Sequence, residues 1–135
     1  MTTARPVVVT IAVQWGDMDA LGHVNNTRFF AWFESARIAL FERLGLMTKG
    51  PSALGPILAT TTCDFLRPVV YPATVRVGAT VSKIGETSMA IDYLVESAAG
   101  DVTCARGTSV VVLVDYATMQ KVRIPDDLRA AIAKL

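Results

Sequence analysis

The chain has one histidine, two cysteines and almost no net charge, and each shortage excludes a class of protein. Lys and Arg total 13 against 12 Asp and Glu, so no overall field draws the chain to nucleic acid or to an anionic bilayer. A single histidine without a CxxC pair disfavours a zinc site. Cys63 and Cys104 lie far apart in apolar, strand-like segments, which favours reduced core thiols over a disulfide. We therefore expect neither a bound metal nor a nucleic-acid partner.

Long apolar runs are also missing. No run reaches the roughly 18 residues that a membrane helix needs. The short apolar stretch in residues 7–13 alternates with polar residues and lacks the long core and the cleavage site of a signal peptide. We predict a cytoplasmic protein without membrane insertion. The 135 residues show no break in composition, so we expect a single domain over residues 1–135, long enough to bury a core.

The first part of the chain reads as a strand followed by a long helix. Apolar residues alternate over residues 7–15, which is the period of a half-buried strand. Over residues 28–44 the apolar positions follow helical spacing, and Gly45 provides a C-terminal stop. The charged residues that fall largely off this apolar stripe are Glu34, Arg37, Glu42 and Arg43. Further bulky apolar residues widen the stripe, so the helix should be mostly covered by other structure. Two Gly-Pro pairs then predict a loop over residues 47–56.

The rest of the chain reads as strands joined by short turns. Four strands are predicted at residues 57–66, 74–84, 88–97 and 102–115, and the last three are close enough for hairpins. A short helix over residues 126–133 follows Pro125, with Asp126 as a candidate cap. This order lacks βαβ crossovers, so it predicts an α+β protein with a largely antiparallel sheet.

A twisted sheet that covers one helix leaves an outer face and an edge in need of protection, and dimerisation is one remedy. The continuous apolar run of residues 110–114 is typical of a strand buried on both faces. Two interpretations fit this run equally: a surface in contact with a second subunit, and a central strand covered within one subunit.

The stretch WGDMDALGHVNNTRFF, residues 15–30, collects two acids, the histidine and two asparagines at the predicted helix start. Asn is among the best N-caps, so at least one of the two is expected to cap the helix. The free amides of a helix start also suit negative charge developing on a carbonyl oxygen, and an acid just upstream can act on the same carbon. That combination indicates ester or thioester hydrolysis without a metal. A serine triad is poorly supported because there is no GxSxG, and neither cysteine has a nearby base.

Two longer segments carry a resemblance. WGDMDALGHVNNTRFFAWFESAR and DFLRPVVYPATVRVGATVSKIGETSM resemble the hotdog-fold thioesterases of the 4-hydroxybenzoyl-CoA thioesterase and YbgC-like family, over about residues 7–114. The resemblance implies a hotdog fold, in which a twisted antiparallel sheet of about five strands wraps a long central helix. It also implies an acyl-CoA thioesterase that needs no cofactor and works as a homodimer or a dimer of dimers.

Residue roles follow from the same resemblance. Asp19 matches the catalytic carboxylate, as nucleophile or general base. Asn26 matches the position whose backbone N–H points at the thioester oxygen. His23 and Asn25 fit the HVNN variant found in fatty-acyl thioesterases, where they position water or the carboxylate, and this variant favours an aliphatic acyl-CoA. Asp17, which precedes a turn, is expected to be structural.

The acyl pocket should be lined by apolar residues of the helix and the neighbouring strands, and the candidates are Phe29, Phe33 and Leu58. Coenzyme A brings phosphates that require Lys or Arg at the mouth of the groove. Some aromatic-acyl relatives carry paired arginines in the turn that here reads KIGETS, so Lys83 is the nearest substitute. The other available cations are Arg67, Arg76 and Arg106.

Two other functions fit the sequence. A hotdog hydratase or dehydratase would use an Asp and a His for proton transfer, but here the two lie close together within one loop. A non-catalytic module would bind acyl thioesters in the same groove without turnover.

Overall fold

The computed structural model describes residues 6–46 and 54–135, and the elements follow the predicted order. A strand, a short 3-10 turn at Trp15–Asp17 and a long helix precede a run of strands and a short helix. The elements are β1 Val7–Ala12, α1 Asn26–Leu44, β2 Leu54–Phe65, β3 Thr74–Ile84, β4 Ser88–Ser97, β5 Thr103–Asp115, β6 Gln120–Lys121 and α2 Asp126–Ala133. The predicted α+β class is confirmed.

The sheet has the order β1-β3-β4-β5-β2, every pair is antiparallel, and the short β6 pairs with the end of β5. The helix α1 packs across this sheet, chiefly on β1 and β3. This is the hotdog architecture that the sequence predicts. Among the described residues, neither helix is long and apolar enough to cross a membrane.

The core lies between α1 and the inward face of the sheet. Alternate residues of β3 and β4 are fully buried there, as the period of a strand requires. Phe33, at the middle of the buried helix face, packs directly on β5. A Cβ placed on Gly107 would lie 2.3 Å from the Phe33 ring, so only glycine allows this close approach.

Both ends of α1 confirm the sequence prediction. At the start, Asn25 caps the helix, and its side-chain oxygen accepts a hydrogen bond from the Thr27 amide at 2.9 Å. At the end, Gly45 adopts a left-handed conformation with φ 75°, and its N–H donates to the carbonyls of Glu42 and Phe41. Asn25 and Gly45 therefore fix the two ends of α1.

Three predictions about the elements are wrong. β1 ends at Ala12 rather than at residue 15, because residues 15–17 form the 3-10 turn. β2 begins at Leu54 and includes Gly55 and Pro56, which we expected in a loop; proline is tolerated there because β2 lies at the edge of the sheet. Residues 47–53 of the predicted loop lie outside the described residues. Asp126 is the first residue of α2 rather than its cap, and its carboxylate lies 3.2 Å from Arg123 Nη1.

Arg37 falls off the apolar stripe of α1 in the sequence, yet it is only 8% exposed. Its burial agrees with a helix that is mostly covered by other structure.

In the apolar run of residues 110–114, Val111, Leu113 and Val114 are buried within the subunit, and β5 lies between β4 and β2. Val110 and Val112, which alternate with them, are only half-buried. β5 is thus a central strand, and contact of this run with a second subunit stays a prediction.

Candidate active site

The loop between β1 and α1 is shaped by its own hydrogen bonds, and Asp17 makes several of them. Its carboxylate accepts from the Gln14 amide at 2.8 Å and lies 3.5 Å from Arg28 Nε, while its carbonyl accepts from the Asn25 amide at 2.9 Å. Asp17 thus joins the end of β1 to the start of α1. Its acid is engaged in holding the loop, in line with the structural role expected for it.

Asp19 lies at the start of a closed turn, and its carboxylate is exposed. The Asp19 amide donates to the His23 carbonyl at 3.0 Å, and Gly22, at φ 82°, donates back to the Asp19 carbonyl at 3.1 Å. Asp19 Oδ1 accepts from the Leu21 amide at 2.9 Å, which fixes the side chain. Oδ2 lies 3.5 Å from Asn25 Nδ2. One carboxylate oxygen is therefore held by the turn, and the other faces the helix cap.

The first amides of α1 differ in what they bind. The Thr27 amide donates to the Asn25 side chain, and the Arg28 amide donates to the Asn25 carbonyl, each at 2.9 Å. Within the described part of the chain, the Asn26 amide has no hydrogen-bond acceptor. The amides at a helix start carry the positive end of the helix dipole. Asn26 therefore presents a free main-chain donor to a negatively charged or polarised oxygen.

A cleft of about 240 Å³ opens beside this amide. One wall comes from the loop and the helix start, and the other comes from the end of β2 and the segment that follows it. The lining residues are His23, Val24, Asn26, Phe29, Phe65, Leu66, Arg67 and Pro68. The two walls are joined by a hydrogen bond from the Val24 amide to the Val69 carbonyl at 2.8 Å. The cleft combines a polar end at the helix start with an apolar side.

The predicted site residues fall into two groups. Asp19, His23, Asn25, Asn26 and Phe29 come together around the helix start and the cleft. The other three, Phe33, Leu58 and Lys83, do not line this cleft. Phe33 is fully buried and stacks on Tyr93 with ring centroids 4.4 Å apart, whereas Leu58 on β2 and Lys83 on β3 are exposed.

The sequence did not indicate the second wall of the cleft, residues 65–68. Phe65 packs edge-on against Phe29 with ring centroids 5.2 Å apart, and Arg67 brings a cation to the same opening. In the sequence, Arg67 was one of three cations without an assigned role, together with Arg76 and Arg106. The only hint in the sequence was the apolar pair Phe65 and Leu66 at the end of a predicted strand. Without the fold, this pair does not show that the strand end lies beside the start of α1.

The cysteines are free, and neither is suited to be a nucleophile. Burial, with a smaller contribution from the Asp64 carboxylate, raises the pKa of the Cys63 thiol to about 11. Burial also raises the pKa of Cys104. The reactive form of cysteine is the thiolate, so both thiols are poorly reactive near neutral pH. Among the described residues, no three His, Cys, Asp or Glu side chains lie close enough to hold a metal ion.

We expect Cys63 to be alkylated more slowly in the folded protein than in urea between pH 9 and 10. Its pKa of about 11 exceeds the usual 9.0, so the folded state binds the thiol proton more tightly. Its contribution to stability is therefore full below pH 9.0 and is lost as the pH rises through about 11. Iodoacetamide labelling of a Cys104→Ala variant, followed by mass spectrometry, measures this. Equal rates in the two states at pH 9.5 would contradict it.

The family comparison and the fold together place this chain in a class of enzyme, the thioester hydrolases. Residues 13–132 match the sequence profile of the thioesterase-like superfamily, and the chain belongs to that superfamily.

Individual relatives agree with this assignment. The PA2801 protein of Pseudomonas aeruginosa is 38% identical, with a TM-score of 0.85 over 93% of this chain and 97% of its own. A thioesterase from Thermus thermophilus, solved with coenzyme A and zinc, is 29% identical, with a TM-score of 0.81 over 94% and 92% of the two chains. The YsmA protein of Bacillus subtilis is 30% identical over 87% of this chain and 78% of its own.

Proposed function

We propose that the protein hydrolyses an acyl-CoA thioester to the free acid and coenzyme A, with Asp19 as the reacting carboxylate and the Asn26 amide as the oxyanion donor. One observation carries the proposal. Asn25 caps the helix with its side-chain oxygen and faces Asp19 Oδ2 with its side-chain nitrogen. Asn25 therefore links the acid to the first turn of the helix, where the Asn26 amide is free.

The chemistry follows from this placement. When the thioester carbonyl accepts a hydrogen bond from the Asn26 amide, its carbon becomes more electrophilic. Attack at that carbon moves negative charge onto the oxygen, where the amide and the helix dipole stabilise it. The tetrahedral intermediate then collapses, the C–S bond breaks, and coenzyme A leaves as a thiolate that takes up a proton.

Asp19 can supply the attack in two ways. As a general base it removes a proton from water, whose hydroxide adds to the carbonyl carbon and later remains on the acid product. As a nucleophile it forms a mixed anhydride, which water then hydrolyses. In both cases the Leu21 amide holds Oδ1, and the reaction uses Oδ2, which accepts only a long hydrogen bond of 3.5 Å from Asn25 Nδ2. His23 lines the cleft and is placed to position the water or the departing sulfur.

The cleft supports a coenzyme A thioester as the substrate. A relative was solved with coenzyme A, and here Arg67 brings a guanidinium to the cleft beside the helix start. Arginine pairs well with phosphate oxygens, so Arg67 is a stronger candidate for a phosphate contact than Lys83, which does not line the cleft. Phe29 would contact the acyl group close to the thioester, and the HVNN sequence favours an aliphatic one.

We also propose that two subunits join through β2. This strand of 12 residues forms one edge of the sheet, and an exposed edge of that length invites pairing with another chain. Exposed apolar side chains accompany it, among them Leu58 at 42% and Phe65 at 43%. A partner paired along β2 would lie next to the cleft, because Phe65 belongs to both.

Charged substitutions on β2 test the proposed subunit contact. The double variant Ala59→Lys, Thr60→Lys places two cations on the exposed middle of β2, and we expect the mass measured by light scattering to fall from that of a dimer to that of a monomer. Val8→Lys, on the opposite edge strand β1, is the matched control and should leave the mass unchanged. If only the control variant dissociates, the contact lies at β1 instead.

The proposed activity is tested by the release of free thiol from a panel of acyl-CoAs, ranging from acetyl to palmitoyl and including benzoyl. We expect catalytic turnover with the highest kcat/KM among the aliphatic members. Calorimetric binding of the same acyl-CoAs without any thiol release would show a non-catalytic binding module instead. Conversion of enoyl-CoA to 3-hydroxyacyl-CoA without thiol release would show a hydratase.

A further inference from the structure

A second groove adjoins the active-site cleft, and the proposed reaction does not use it. It has a volume of about 240 Å³ and lies between residues 67–73 and the part of the chain where β4 ends and β5 begins. Arg67 and Pro68 line both the cleft and this groove, whereas Asn26 lines the cleft but not the groove. The two spaces therefore share a border at Arg67 and Pro68, and a ligand that occupies both must cross it.

Backbone hydrogen bonds fix this border. The Leu66 and Arg67 amides both donate to the Cys104 carbonyl on β5, at 2.9 Å and 3.0 Å. Just beyond, the Val69 carbonyl accepts from the Val24 amide in the loop before α1, at 2.8 Å. The backbone of Arg67 is thus held against the sheet on one side and close to the reacting end of the site on the other.

The lining of the groove is mainly apolar. Val69, Val75 and Cys104 are buried beneath it, while Val70 and Val102 are exposed by 48% and 37%. A flat ring that covered these two exposed valines would remove apolar surface from water. The groove therefore suits a ligand with an apolar face rather than a fully hydrated one.

Arg67 brings a positive charge to the border. Its side chain is exposed, and no carboxylate oxygen of residues 6–46 or 54–135 lies within 4.0 Å of its guanidinium. The remaining residues, 1–5 and 47–53, contain no Asp or Glu. Burial raises the pKa of the Cys104 thiol, whereas a backbone hydrogen bond of Ser97 and the charge of Arg67 lower it. The guanidinium is thus close enough to act on a residue that lines the groove.

This charge decides which end of an acyl-CoA suits the groove. An alkyl chain that crossed the border would displace water from the guanidinium without replacing the lost hydrogen bonds, which is unfavourable. The phosphates of coenzyme A would instead pair with it. The nucleotide that carries these phosphates ends in adenine, a flat ring with two apolar faces. The coenzyme end of the substrate therefore matches both the cation at the border and the apolar groove behind it.

We propose that the groove holds the adenine nucleotide of coenzyme A, with a phosphate on Arg67 and the ring against Val70 and Val102. This inference rests on the proposed acyl-CoA hydrolysis and names the part of the substrate that the groove recognises. The thioester lies at the Asn26 amide, and the pantetheine arm follows the cleft to Arg67. Cleft and groove, at about 240 Å³ each, are individually below the roughly 300–1,000 Å³ of a typical ligand pocket, whereas together they fall within it.

The test compares an acyl-CoA with the same acyl group on pantetheine, which lacks the nucleotide. Val102→Trp fills the groove from an exposed position, and we expect it to raise the ratio of the KM for acyl-CoA to the KM for acyl-pantetheine about tenfold, the effect of losing one apolar contact. Arg67→Met should raise the same ratio. Val8→Trp, at an exposed valine on the edge strand β1, is the matched control and should leave both KM values unchanged.

Val70→Trp fills the groove from another exposed position and should act like Val102→Trp, so the test does not depend on the folding of one variant. A ratio that neither tryptophan changes, in variants that circular dichroism shows to be folded, overturns the inference. A rise in KM confined to long acyl groups, on coenzyme A and pantetheine alike, also overturns it and assigns the groove to the acyl chain.

Calorimetric binding of adenosine 3′,5′-bisphosphate, the nucleotide end of coenzyme A, gives a second readout that needs no turnover. If wild type hydrolyses neither thioester, the proposed activity fails, while nucleotide binding that Val102→Trp and Arg67→Met both weaken still supports the nucleotide site. Wild type that does not bind the nucleotide, and that has equal KM values for the two thioesters, contradicts the inference even when the hydrolysis is confirmed.

Discussion

Asp19→Asn is expected to lower kcat for the preferred acyl-CoA by about a hundredfold to ten-thousandfold, the usual contribution of a positioned acid or base. Asparagine keeps the shape of the side chain and can still accept the hydrogen bond from the Leu21 amide, so the turn should persist. It can neither remove a proton from water nor form an anhydride. KM should change much less than kcat, since the acid acts on the reacting atoms. Initial rates of thiol release measure both constants.

The neighbouring acid is the matched control for this experiment. Asp17→Asn removes a charge from the same loop, but Asp17 binds the Gln14 amide and lies against Arg28 rather than facing the helix cap. We expect a lower melting temperature and a kcat close to that of wild type. Should Asp17→Asn abolish turnover in folded protein while Asp19→Asn does not, the roles of the two acids are reversed.

Asn26→Pro is expected to lower kcat by about a hundred- to a thousandfold, the effect of removing one oxyanion donor. Proline lacks the backbone N–H and is favoured at the first position of a helix, which Asn26 occupies. The preceding residue, Asn25, already has the extended conformation that proline requires before it, with φ −63° and ψ 142°. The substitution thus deletes the proposed donor with little disturbance of the helix.

Asn26→Ala separates the main chain from the side chain. Alanine keeps the N–H, so we expect it to cost far less activity than either Asn26→Pro or Asp19→Ala. Circular dichroism and thermal melting check that each variant is folded. A folded Asn26→Pro protein with wild-type kcat would exclude this amide as the donor, and a loss in Asn26→Ala as large as that in Asn26→Pro would assign the role to the side chain.

The helices and strands were predictable where the sequence pattern that specifies them spans only a few neighbouring residues. β3, β4 and α2 have the predicted bounds, because strict alternation, helical spacing and short turns mark them within a few residues. The loop at the start of α1 was predictable for the same reason, since its acids, its glycine and its capping asparagine lie within one stretch. The start of β2 was less predictable. Gly55 and Pro56 are typical of a turn, and they fit a strand only because β2 lies at the edge of the sheet.

Features that depend on distant parts of the chain were not predictable. Arg37 lies off the apolar stripe in the sequence, and only the packing of α1 in the fold shows that it is buried. Phe33 is apolar and was a candidate pocket residue, yet it is buried in the core because Gly107 on β5 has no side chain and leaves room for its ring. The wall formed by residues 65–68 lies next to Asn26 only because the strand order brings the end of β2 there.

The hydrogen bond from Val24 to Val69 has a consequence for how activity returns after denaturation. The cleft needs both of its walls, and the residues that this bond joins are distant in sequence, so they meet only after a large loop of chain has closed. The helix, by contrast, forms from neighbours. During refolding, the far-ultraviolet helix signal should recover first, and hydrolysis should recover only when the two distant segments have docked.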